Sequence, residues 1–135
     1  MDYAKPVNIM IIDDDEINNF IVKTLIRKVC KSTKVTICLN ITNAIDLLLS
    51  INHESGSLPE FIFLELFSQL MNGWDFLDEY SRLNFDKTGV RRIIILTCST
   101  FKRDIDRALS YLSVIEFITK PVTADRLKSL FCKII

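Results

Sequence analysis

The 135-residue chain is read as an α/β domain built on a doubly wound, five-stranded parallel sheet. Three observations predict it. Short apolar runs alternate with longer amphipathic segments, which is the pattern of βα units. Five such pairs fit the length. The polar residues that interrupt the apolar pattern stand just past the runs, where an open parallel sheet gathers its chemistry.

The elements follow in order. Val7 to Ile12 is a continuous β-rich run, followed by a helix from Glu16 to Cys30 in which Ile17, Phe20, Ile21 and Leu25 share a face. Lys34 to Leu39 is the second strand, and its helix runs from Thr42 to Asn52. The polar stretch HESGSLPE, with Gly56 and Pro59, punctuates before the third strand, Phe61 to Leu64. Asn72 and Gly73 mark a turn or helix entry, and Trp74, Leu77, Asp78 and Tyr80 carry a helix on to Asn84. Arg92 to Leu96 is the fourth strand, Arg103 to Leu112 the fourth helix and Val114 to Ile118 the fifth strand. Leu127, Leu130, Phe131 and Ile134 give the i, i+3, i+4, i+7 stripe of a closing helix. No repeat, low-complexity segment or linker divides residues 1–135, which are expected to form one domain with a single core and no output domain.

Composition narrows the function. Seventeen basic residues balance seventeen acidic ones, so there is no broad footprint for nucleic acid or an anionic membrane surface. The start, MDYAKPVNIMIIDDD, is too short in apolar residues for a signal-peptide core or a membrane span, and a cytoplasmic location is expected. Cys30, Cys38, Cys98 and Cys132 form no CxxC pair and no metal-like cluster with His53, the only histidine. They are read as reduced packing residues and His53 as a surface residue.

The strand ends carry the chemistry. Asp13, Asp14 and Asp15 follow the first strand, Glu65 ends the third, Thr97 follows the fourth, and Lys120 and Pro121 follow the fifth. Clustered carboxylates repel unless a cation shares the site, and Mg²⁺ suits oxygen ligands with retained waters. A lysine and a hydroxyl opposite suit the oxygens of a phosphoryl group. Each residue also has a plainer reading: Asp13 to Asp15 as helix caps, Thr97 as an ordinary β-branched strand residue, Lys120 as a solvated lysine.

The segments IMIIDDDE, LMNGWDFL, IIILTCS and FITKPVT, in this order, resemble the receiver domains of two-component response regulators over the whole chain. The resemblance implies the flavodoxin-like (βα)5 receiver fold and a stand-alone regulator in a phosphorelay. It assigns the acid pair to Asp13 and Asp14, the phosphoryl-binding hydroxyl and lysine to Thr97 and Lys120, and the aromatic switch to Phe117. Pro121 takes the place of the family's proline after a cis peptide. It implies a weak Mg²⁺ site from Asp13, Asp14, Glu65 and the backbone carbonyl near Phe67. Glu65 stands where the phosphoacceptor aspartate belongs, and FSQL replaces the usual segment containing Met-Pro.

Two readings of Glu65 stay open: a permanent imitation of the phosphorylated state, or a degenerate site that serves binding alone. The implied partners are a histidine kinase, a phosphotransfer protein or another regulator, met through helix four, strand five and helix five, where Lys102, Arg103, Arg107, Glu116 and Arg126 stand. The protein is expected to be a monomer or weak dimer and no enzyme. The alternative is a small Mg²⁺-dependent phosphatase resembling the haloacid dehalogenases, with Asp13 as nucleophile and Asp15 as general acid/base. It lacks the later acidic motif such enzymes need.

Overall fold

The computed structural model describes residues 6–51, 58–85 and 90–134, with side chains through Phe131. His53, and the side chains of Cys132 and Ile134, lie outside the described residues.

Five strands and five helices alternate: β1 Val7–Ile12, α1 Glu16–Val29, β2 Thr33–Cys38, α2 Ile41–Ile51, β3 Phe61–Leu64, α3 Gly73–Leu83, β4 Ile93–Thr97, α4 Lys102–Leu109, β5 Val114–Thr119 and α5 Ala124–Ile134. The strands form one parallel sheet in the order β2-β1-β3-β4-β5. The five expected βα pairs and the doubly wound sheet are all present. Boundaries moved by one residue in β2, α2 and β4, at the start of α4 and at the ends of α1, α3 and β5, and α4 stops at Leu109 where the sequence suggested Leu112. The more useful shift is at β4, which takes in Thr97 as its last residue.

Strand alternation divides the core. Ile9, Ile11, Phe61, Phe63, Ile94 and Leu96 face one layer with Val22 and Ile26 of α1 and Leu127, Leu130 and Phe131 of α5. Met10, Ile12, Ile62, Leu64, Ile93 and Ile95 face the other, with Ala44 and Leu48 of α2, Phe76, Leu77 and Tyr80 of α3 and Ala108 of α4. Because both faces are covered, the strands read as unbroken apolar runs.

Helix α1 corrects the sequence reading. Ile17, Phe20 and Ile21 are 76%, 70% and 49% exposed, so they do not form its core face. The buried residues are Asn19, Val22 and Ile26, with Leu25 partly buried beside them. Val22 and Ile26 enter the layer shared with α5, and Asn19 is buried beside them because its side-chain amide donates to the Asp13 carbonyl at 2.9 Å. The stripe of Ile17, Phe20 and Ile21 faces outward. Among the cysteines, Cys38 is buried and Cys30 partly so, but Cys98 is exposed and does not pack in the core.

Candidate functional site

The strand order reverses between β1 and β3, and an α/β sheet opens its binding crevice at such a switch point. Asp13 and Glu65 are the residues that follow these two strands. The sheet ladder fixes both: the Asp13 N–H donates to the Cys38 carbonyl and the Glu65 N–H to the Ile12 carbonyl, each at 3.1 Å. From the far side, the Lys120 N–H donates to the Thr97 carbonyl at 2.8 Å. The peptide bond between Lys120 and Pro121 is cis.

These backbone anchors bring four side chains together. Lys120 Nζ donates to Glu65 Oε1 at 2.7 Å and to Asp13 Oδ2 at 2.9 Å. Glu65 Oε2 accepts from the Phe67 N–H at 3.0 Å and from the Thr97 hydroxyl. Asp13, Glu65 and Thr97 are buried, and the Lys120 side chain is largely covered. Buried carboxylates need this many donors, since an unpaired one would be strongly penalised. Asp14 sits at the edge, where its Oδ2 accepts from the Leu70 N–H at 3.3 Å.

Burial raises the Asp13 carboxyl above its ordinary range, outweighing the Asp15 N–H and Lys120, which both lower it. Burial by itself would lower the Lys120 ammonium. Its hydrogen bonds to Glu65 and Asp13 outweigh that effect and hold it above the ordinary lysine value. Lys120 is therefore a firm cation at neutral pH, joining β1, β3 and β5.

Several partners escaped the sequence reading. The Asn18 amide donates to Asp13 Oδ2 at 3.1 Å, and Asn19 holds the Asp13 carbonyl. The signal was the NN pair inside the first turn of α1, polar where the helix meets the sheet. Gly73 is another. A Cβ there would lie 2.4 Å from the Glu65 carbonyl oxygen and 2.6 Å from the Leu66 Cα. Only glycine lets α3 start this close to Glu65. Asn72 caps the helix by accepting from the Trp74 N–H at 2.9 Å.

The capping reading of the aspartates holds for one of the three. Asp15 Oδ1 accepts from the Asn18 N–H at 3.0 Å as the N-cap of α1. The residue that the phosphatase alternative needs as general acid/base is thus engaged as a cap.

The metal ligand set expected from the sequence is not assembled. Among the described residues, no three His, Cys, Asp or Glu side chains are grouped as a metal ion would need. The physical reason is the ammonium of Lys120 between Asp13 and Glu65, while the second Glu65 oxygen is turned to Thr97 and Phe67. Phe67 offers Glu65 its N–H. In this arrangement the residues do not fit a Mg²⁺ ion bound directly by Asp13, Asp14 and Glu65.

Two clefts meet above Glu65. One, of about 450 Å³, is lined by Asp13, Asp14, Asp15, Ser68, Leu70 and Lys120; the other, of about 470 Å³, by Thr97, Cys98, Phe101 and Arg103. A larger groove of about 540 Å³ lies at the opposite rim and is lined by no acid. Phe117 is partly buried against the core layer of α2, α3 and α4, beside Ile95 in the sheet. Of the expected docking residues, Lys102 pairs with Asp106 and Arg126 with Glu116, while Arg107 lies over the Trp74 ring.

No protein-family model matches the chain, and no curated protein matches it. Solved structures do. A two-component response regulator from Cytophaga hutchinsonii is 27% identical, with a TM-score of 0.83 and 96% of each chain covered. One from Legionella pneumophila is 26% identical, with a TM-score of 0.78, covering 94% of this chain and 96% of its own. A response regulator receiver protein from Dyadobacter fermentans shares the fold at 24% identity, with a TM-score of 0.77 and coverage of 93% and 95%. The described residues include no helix long and apolar enough to cross a membrane. Sheet order, rim and structural neighbours agree: the fold of this chain is that of the response regulator receiver domains.

Proposed function

We propose that the chain is a receiver module of two-component signalling whose switch is held by its own glutamate instead of by phosphoryl transfer. The observation that carries this is the seat of Glu65, whose carboxylate is bound at once by Lys120, Thr97 and the Phe67 N–H. An aspartate at the same backbone position would fall short by one methylene. The added reach places a fixed negative charge against the lysine and the hydroxyl that would otherwise receive a phosphoryl group.

A carboxylate carries less charge than a phosphoryl group and one fewer acceptor oxygen. It therefore biases a two-state equilibrium by the difference in its contacts between the states, without saturating it. Thr97 is drawn toward Glu65, and Phe117, on the neighbouring strand β5, is the side chain that would respond. The reading gives the protein no catalytic role, since near-attack geometry tolerates little displacement of the acceptor. Partners of this module are kinases, phosphotransfer proteins or other regulators in the cytoplasm, reached through α4, β5 and α5.

Acetyl phosphate with Mg²⁺, followed by intact-mass measurement, tests the reading. Wild-type protein should stay unmodified, and Glu65→Asp should gain one phosphoryl group. Modification of the wild type at Glu65 would refute the proposal. A Glu65→Asp protein that also stays unmodified would mark the site as degenerate.

A further inference from the structure

Trp74 is the chain's single tryptophan and stands in the first turn of α3, buried. Three side chains close on its ring. Phe67 meets it edge-on, with centroids 6.1 Å apart and planes at 73°. The Arg107 guanidinium carbon lies 4.0 Å from the ring centre, and Tyr111 stacks at 6.5 Å and 30°. The Tyr111 hydroxyl also donates to Asp78 Oδ1 at 2.6 Å. Trp74 and Asp78, one turn apart on α3, thus grip Arg107 and Tyr111, one turn apart on α4 and just beyond it.

The opposite edge of this cluster reaches the site. Phe67 gives its N–H to Glu65 Oε2 at 3.0 Å, and its backbone bridges to Asn72, the N-cap of α3. The Glu65 carboxylate thus holds the Phe67 backbone from one side, and the Phe67 ring meets the Trp74 ring on the other. Edge-to-face aromatic pairs and a cation over an indole depend steeply on geometry, so a shift of one wall is felt by the others.

We propose that Trp74 is a positioning residue that couples Glu65 to α4 along Glu65, Phe67, Trp74, Arg107 and Tyr111. This route is separate from Thr97 and Phe117. It takes from the functional reading only that Glu65 is the anion of the site, and needs nothing about phosphorylation.

Amide hydrogen exchange in a double-mutant cycle tests it. Glu65→Ala should speed exchange at the α4 amides Asp106 to Leu109 by about fivefold or more. In a Trp74→Leu background the same change should have little effect, and Arg107→Ala should uncouple α4 in the same way. If Glu65→Ala speeds α4 equally with and without Trp74, or leaves α4 untouched, the route is wrong. Should Trp74→Leu fold poorly, iodide quenching of Trp74 in Glu65→Ala decides: altered quenching supports the route, unchanged quenching overturns it. Exchange at β5 around Phe117 keeps the two readings apart. A change at β5 without one at α4 sinks the Trp74 route alone; a change at α4 without one at β5 sinks the Thr97 to Phe117 reading alone.

Discussion

One methylene separates Glu65 from an aspartate. The Glu65 carboxylate is held by an ammonium, a hydroxyl and a backbone N–H, and the residue's carbonyl lies where a Cβ at Gly73 would have to sit. Gly73→Ala would force a Cβ into the Glu65 and Leu66 backbone, and overpacking of this kind costs about 1–3 kcal/mol. Urea unfolding should show that loss, together with displacement of Glu65 seen as altered Trp74 emission. At this scale the sequence was informative wherever a polar residue broke an apolar run: Asp13, Glu65, Thr97 and Lys120 were legible for that reason. Asn18 and Asn19 were not, because polar residues within a helix give no sign of whether they face water or a buried carbonyl.

At the scale of elements, strands were easier to place than helix faces. A strand buried on both sides announces itself as a run of Ile, Phe and Leu, whatever its neighbours are. The buried face of α1 carries Asn19, bonded to the Asp13 carbonyl, with Val22 and Ile26, while the larger apolar stripe of Ile17, Phe20 and Ile21 faces outward. The start of α3 rests on a smaller device. Asn72→Ala removes the acceptor for the Trp74 N–H and should cost about 1 kcal/mol by chemical unfolding. Because Asn72 caps α3 and bridges to the Phe67 backbone, that variant should also speed exchange at the first amides of α3. Unchanged exchange there would show that packing alone holds the turn.

For the molecule as a whole, Lys120 is the strap across the rim, joining the end of β5 to the ends of β1 and β3. Its hydrogen bonds raise its pKa in the folded state, so the folded protein holds this proton more tightly than the unfolded chain. The resulting stability is fully present below the ordinary lysine value and is lost as pH rises through the raised one. Lys120→Met should lower stability by about 3 kcal/mol at neutral pH, because two buried carboxylates lose their cation. The gap to wild type should close in alkaline solution. Tyr111, raised by burial and by Asp78, weakens both proteins in the same pH range and cancels in the comparison. A gap that stayed constant from neutral to alkaline pH would contradict this role for Lys120.

The central proposal is that Glu65 biases the domain toward the state a phosphoryl group would impose. Amide NMR shifts of Thr97, Phe117 and α4 test it most directly, compared across wild type, Glu65→Asp alone and Glu65→Asp with beryllofluoride and Mg²⁺. The account predicts that wild-type shifts lie on the line from Glu65→Asp alone to its beryllofluoride form, displaced toward the latter. Wild-type shifts that coincide with Glu65→Asp alone would contradict it.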